Sequence, residues 1–133
     1  MGIQNATILV GGTVATTGGT STSFTPNGVD IKGGVQLIDA SNANAVTRAM
    51  ITVRNVRAAI LDLATGKYKT KWKRFANIIR PLVLSSGAVT FPVVRIEVEA
   101  HPESTQAQVD QLCSEAAQLL TDSDFQAFWR TGS

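Results

Sequence analysis

The sequence predicts an α+β fold in which an antiparallel sheet is followed by two helices. β-prone runs with a period of two extend to about residue 100, and an apolar stripe with helical spacing comes after them. We find no internal repeat and no linker between these parts. Strands followed by helices favour a sheet with the helices on one face, so we expect a single domain over residues 1–133.

The first segment, residues 1–17, predicts a β-hairpin. One β-prone run covers residues 6–10 and a second covers residues 13–17, with Gly11 and Gly12 between them. Two adjacent glycines supply the positive φ angles of a tight hairpin turn. Residues 18–34 are rich in Gly, Ser, Thr and Asn and predict a loop.

Alternation within residues 34–100 predicts an antiparallel sheet with two unlike faces. Val35–Asp39 predicts a short strand, and residues 48–54 place apolar side chains on one face and basic or polar ones on the other. A further strand is predicted over residues 67–73, with Tyr68 and Trp72 facing the core, and a third long strand over residues 89–100. Four lysines share the opposite face of the strand predicted over residues 67–73: Lys67, Lys69, Lys71 and Lys73.

The period changes to 3.6 after residue 102 and predicts two helices within residues 104–130. Thr105 and Gln108 have the spacing of a capping box, and the helix that they begin should reach about Leu120. Asp122 can cap a second, shorter helix. The apolar side chains exceed what one sheet edge needs, so we expect them to pack against a second copy, although a monomer with a closed core remains an alternative. The candidate core and dimer residues are Val109, Leu112, Ala116, Leu120, Phe125, Phe128 and Trp129.

Charge is distributed unevenly along a chain whose formal net charge is only +2. Residues 48–80 contain nine basic side chains and one acid, whereas residues 97–133 contain seven acids and one base. A basic strand face can bind phosphates without reading a base sequence, and Arg48 and Arg54 extend the lysine row onto a neighbouring strand. The alternative is a solvated face whose lysines discourage aggregation at a strand edge.

The sequence contains no recognisable catalytic, metal or cofactor site. A phosphate-binding loop is absent, and one cysteine with one histidine cannot form a zinc cluster. Cys113 is expected to be a small buried residue, and His101 a surface residue in a turn. Glu97 and Glu99 could form a carboxylate pair, but Arg95 beside them favours local charge balance. We expect no enzyme activity and no small-molecule substrate.

The order and spacing of these elements resemble the coat proteins of single-stranded RNA bacteriophages of the levivirus type. The similarity covers the N-terminal hairpin, the Gly-Val-Gln-Leu strand at residues 34–37 and the basic strand at residues 48–54. It continues through the lysine strand at residues 67–73 and the segment from Ser104 to Leu120.

The resemblance implies a five-stranded sheet behind a hairpin, and helices that interlock in a ten-stranded homodimer. Dimers would assemble into an icosahedral shell whose inner sheet face binds genomic RNA and an RNA hairpin that represses translation. The positions that match the family's RNA contacts are Arg48, Thr52, Arg54, Lys67, Lys71, Arg95 and Glu97. Met50 stands where better-known members have a small hydroxyl residue, and Val93 where an aromatic stacks on a base, so specific hairpin recognition stays open.

Two other functions fit the same sequence. One is a small dimeric regulator of the cytosol that binds nucleic acid and forms no shell, and the other is a tube or sheath protein with a basic lumen. We expect synthesis in the bacterial cytoplasm, since the N-terminus lacks the features of a signal peptide and no apolar run approaches the roughly 18 residues of a membrane span. The resemblance favours a virion protein over both alternatives.

Overall fold

The computed structural model describes residues 6–132, which form two compact units. One unit contains residues 19–102 and the other contains residues 6–18 and 103–132. In chain order the elements are β1 (Phe24–Val29), β2 (Val35–Asp39), β3 (Met50–Arg57), β4 (Leu61–Asp62), β5 (Lys67–Tyr68), β6 (Trp72–Ile79), β7 (Leu82–Val83), β8 (Val89–Thr90), β9 (Val93–Ala100), α1 (Gln106–Thr121) and α2 (Ser123–Thr131).

The predicted five-stranded antiparallel sheet is confirmed, with the strand order β1-β2-β3-β6-β9. Strand β2 has the predicted bounds, whereas β1 lies in a segment that we predicted to be a loop. The sequence did not indicate this strand because it contains Pro26 and Gly28, two residue types that are rare in strands. Both are tolerated because β1 is at the edge of the sheet and its pairing is irregular between Pro26 and Val29, where Gly28 has a φ of 110°.

The prediction of one strand over residues 67–73 is wrong. Lys67 lies in the small β4–β5 hairpin, Lys73 lies in β6, and residues 69–71 belong to neither strand. The Thr70 hydroxyl accepts the Ile60 N–H at 3.0 Å and therefore occupies a place that a backbone carbonyl would take in a regular ladder. The long strand predicted over residues 89–100 is likewise divided, between β8 and β9, at Phe91 and Pro92.

The two C-terminal helices are confirmed together with their caps. Thr105 caps α1 through a complete capping box with Gln108, and the Asp122 carboxylate accepts the Asp124 N–H at the start of α2. The Trp129 indole Nε1–H donates to the Leu119 carbonyl at 2.7 Å, which joins the two helices. Cys113 is exposed on α1, contrary to the predicted burial.

Residues 6–18 are held by the two helices of their own unit. The Gln118 side chain accepts the Leu9 N–H at 2.7 Å and donates to the Leu9 carbonyl at 2.9 Å. The Asp124 carboxylate accepts the Thr7 N–H at 3.1 Å. A turn closes between Leu9 and Gly12 at the predicted place, but residues 6–17 contain no β-strand, and residues 1–5 of the predicted hairpin lie outside the described range.

The region around Tyr68 differs from the sequence-based expectation of a core aromatic. Its ring is partly exposed and meets the His101 ring edge-on, with centroids 5.7 Å apart. His101 therefore packs against an aromatic ring, whereas the sequence predicted only a surface turn.

Candidate nucleic-acid interface

The register of the central strands gives the sheet one apolar face. Val35 pairs with Val53, Val53 with Ala76, and Ala76 with Ile96, so these four side chains form a row across the sheet. A parallel row of apolar residues lies beside it. That row consists of Leu37, Ile51, Ile78 and Val94. The valines and Ile96 of the first row are each about two-fifths exposed, so this face is not closed in the single chain.

The opposite face, which we call the polar face, contains most of the predicted RNA contacts. Thr52 pairs with Asn77 and Asn77 with Arg95, and Gln36 completes the row on β2. Thr52 is only 6% exposed, and its N–H donates to the Asn77 Oδ1 at 3.2 Å. The centre of the polar face is therefore held in place before any ligand binds.

A second row of the polar face joins Arg54, Phe75 and Glu97. The Arg54 guanidinium carbon lies 4.1 Å from the centroid of the Phe75 ring, which is cation–π geometry. The Arg54 Nη1 also lies 3.7 Å from the Asp30 Oδ2, and both side chains are mostly buried.

The third row of the polar face is a network of opposite charges. Arg57 pairs with Lys73 and Lys73 with Glu99 in the strand register. Arg57 forms an ion pair with Glu99, and the Lys73 Nζ lies 3.8 Å from a carboxylate oxygen of both Glu97 and Glu99. These ion pairs are partly solvated, so each contributes little to stability and a phosphate can compete for the cations.

The structure brings together five of the nine predicted RNA-contacting residues. Arg48 precedes β3 in a turn, Lys67 and Lys69 lie in or next to the β4–β5 hairpin, and Lys71 directly precedes β6, so these four lie outside the rows described above. The five that share the polar face are Thr52, Arg54, Lys73, Arg95 and Glu97.

Sequence reasoning missed Phe75 and Asn77 as members of the polar face. The signal was present, because alternation from Lys73 continues through both residues. The strand predicted over residues 67–73 was placed several residues too early and therefore ended before both of them. The true strand β6 ends at Ile79, so it pairs with the whole of β9.

Most of the predicted dimer residues are exposed on the helical unit, whereas Val109 and Phe125 are half-buried. Leu112 is 49% exposed and Trp129 56%, and Leu120 and Phe128 are also exposed, whereas Gln118 on α1 is 8% exposed. Helix α1 thus binds the N-terminal segment of the chain through a polar side chain, Gln118, while apolar side chains of the helix stay exposed. This is the reverse of an amphipathic helix in a closed monomer.

The described residues contain no cluster of three or more side chains able to hold a metal ion. None of the helices in residues 6–132 is long and apolar enough to cross a membrane.

Hydrogen bonds from the Ser41 hydroxyl and N–H lower the pKa of Asp39, at the end of β2.

Comparison with solved structures identifies the family. The chain is similar to that of the virus-like particle of bacteriophage GQ-907, with a TM-score of 0.83, 32% sequence identity and 98% of each chain covered. The chain belongs to the levivirus-type coat proteins. This coat protein is accordingly a capsid protein, and the place of a capsid protein is the virion.

Two more distant structures share the fold of this coat protein. The virus-like particle of Beihai levi-like virus 21 matches with a TM-score of 0.63 and 12% identity, covering 90% of this chain and 91% of the other. The virus-like particle of bacteriophage AVE019 matches with a TM-score of 0.64 and 10% identity, covering 90% and 92%. No protein-family model matches the sequence, and a comparison with curated proteins finds no match.

Proposed function

We propose that this coat protein forms a homodimer, that the dimers assemble into an icosahedral shell, and that the polar face binds single-stranded RNA inside it. The observation that carries the RNA-binding part is the strand register, which puts Arg54, Lys73 and Arg95 on one face, opposite the apolar rows. Cations from three strands on one surface can follow a phosphate backbone without reading its sequence.

The dimer is supported by the amount of apolar surface that the single chain leaves uncovered. Large apolar side chains are exposed in both units, among them Val53 at 39%, Ile96 at 41%, Leu112 at 49% and Trp129 at 56%. Ala49 is the one apolar side chain in the buried class among the described residues, which supports a core that a second copy completes.

Arg95 is the cation of the polar face most available to a phosphate. Its side chain is exposed and makes no ion pair with any of residues 6–132, whereas Arg54, Arg57 and Lys73 all have carboxylate partners. An incoming phosphate can bind Arg95 first and compete for the partly solvated lysine and arginine next. Binding should therefore weaken steeply with added salt.

The test compares two double variants that remove equal charge. Replacing Lys73 and Arg95 by glutamine should lower the RNA content of purified shells and reduce the log–log salt slope of RNA binding by roughly 1.4, at about 0.7 per phosphate contact. Replacing Lys67 and Lys69 by glutamine is the matched control, since Lys67 lies in the β4–β5 hairpin and Lys69 directly follows it, and should change the slope by less than half as much. Equal effects of the two variants would remove the polar face from the proposal.

Electron microscopy and gel filtration of the unmodified protein test the assembly part. Closed particles of uniform diameter are expected. A stable dimer that forms no particle would instead favour the cytosolic regulator, and open tubes would favour the sheath protein. Repression of translation, which the family resemblance implies, requires that one RNA hairpin binds more tightly than a scrambled hairpin of the same length and charge.

A further inference from the structure

On the polar face, the planar guanidinium of Arg54 is held in its orientation by two neighbouring side chains. Phe75 lies under one face of the Arg54 guanidinium, at 4.1 Å from its central carbon. Asp30 meets the rim of the same group, at 3.7 Å from Nη1. Residues 6–132 make no other ion pair or ring contact with this group, and its side chain keeps 18% of its surface exposed.

The loop after β1 holds Asp30 where it meets Arg54. The Asp30 Oδ1 accepts the N–H groups of Lys32 at 3.0 Å and Gly34 at 2.6 Å, which leaves Oδ2 for the guanidinium. A Cβ on Gly34 would lie 3.0 Å from the Arg54 Cβ and 3.0 Å from the Val53 carbonyl oxygen. The close approach of this loop therefore depends on the absence of a side chain at Gly34.

We propose that Arg54 and Phe75 form a stacking site for one unpaired nucleobase of the bound RNA. The site rests on the proposed RNA binding and adds a base contact to it. A guanidinium is planar and weakly hydrated on its faces, so it stacks on aromatic rings and on bases. Because Phe75 and Asp30 already fix its plane, a base that covers the second face has little side-chain entropy left to remove.

A phosphate fits this guanidinium less well than a base does. Phosphates bind the N–H edge of arginine, preferably through two parallel hydrogen bonds, and Asp30 already lies against that edge at Nη1. A phosphate there would also face the carboxylate. A base that approaches the second face disturbs neither Asp30 nor Phe75, so face-on stacking is the contact that keeps the existing ion pair.

The experiment uses two single-stranded probes, an oligouridylate and an abasic ribose-phosphate oligomer of the same length. Full-length protein is kept below its assembly concentration, and binding is measured by fluorescence anisotropy. The unmodified protein should prefer the oligouridylate by about tenfold, which is within the range of one stacked base. Arg54→Lys keeps the charge but not the planar group, so it should remove most of the preference and leave the salt slope unchanged.

Two further variants separate the loss of base stacking from general effects on the polar face of the sheet. Phe75→Leu keeps an apolar side chain in β6 and should also remove the preference. Arg80→Lys is the matched control, because Arg80 is exposed and follows β6 outside the three rows of the polar face, and it should keep the full preference.

The outcomes separate this inference from the proposed function. Equal binding of both probes by the unmodified protein, or a preference that survives in Arg54→Lys, overturns the stacking site while RNA binding stands. Failure to bind either probe overturns the proposed RNA binding itself. A preference lost equally in Arg80→Lys also overturns the assignment to Arg54 and Phe75.

Discussion

The contact between Gln118 and Leu9 offers the sharpest test of the helical unit. The amide of Gln118 makes two hydrogen bonds to the backbone of Leu9, at 2.7 and 2.9 Å, and is 8% exposed. Gln118→Leu keeps the size of the side chain but removes both partners. At about 1 kcal/mol for each hydrogen bond, the free energy of unfolding should fall by about 2 kcal/mol.

Chemical denaturation at equal protein concentration measures this loss, because the stability of an oligomer depends on concentration. The melting temperature should fall by roughly 6–8 °C for a chain of this size. Hydrogen exchange gives a local readout, since the Leu9 amide should lose protection. Gln111→Leu, at an exposed position of the same helix, is the control. A Gln118→Leu protein within about 0.5 kcal/mol of that control, with the Leu9 amide still protected, would refute the reasoning.

Three further predictions concern the interface, the charge network and the helix cap. Leu120→Asp places a charge on the apolar surface of α1 and should prevent dimerisation, measured by sedimentation; a variant that still forms shells would contradict the proposed packing. Replacing Glu97 and Glu99 together by glutamine releases Lys73 and Arg57 and should raise the affinity for RNA at low salt; an unchanged affinity would mean that these acids do not compete with phosphate. Thr105→Ala removes the N-cap of α1 and should cost about 1 kcal/mol in denaturant unfolding, while an unchanged midpoint would argue that the cap is dispensable.

Local patterns were enough to predict the helices and the class of the fold. The capping box at Thr105 and the apolar spacing after it involve residues three or four apart, so the first helix could be placed within one residue of its observed bounds. Strand β2 was placed equally well because loops flank a short apolar run. Strand β1 was missed because Pro26 and Gly28 disfavour a strand in the middle of a sheet. The sequence alone does not show that β1 lies at the edge, where both residues are tolerated.

The candidate site was predicted only in part, because strand pairing is not local. The sequence shows that Lys67, Lys69, Lys71 and Lys73 alternate, but it does not show where their strand begins. Bonding of the Thr70 hydroxyl to the backbone near residues 58–60 ends the pattern, so the lysine row never forms. The family resemblance predicted Thr52, Arg95 and Glu97 as RNA contacts from their positions along the chain, without knowledge of the strand pairing.

By itself the sequence determined the α+β class, the helix caps, the uneven charge and the excess of apolar side chains, since each depends on composition or on neighbours along the chain. Only the tertiary structure decided which cations share a surface, because the pairing of β3, β6 and β9 joins residues 14 to 29 positions apart. A shift of one residue in that pairing would move every side chain to the other face. For that reason Phe75 came to lie beneath Arg54, and Lys69 came to lie outside the polar face.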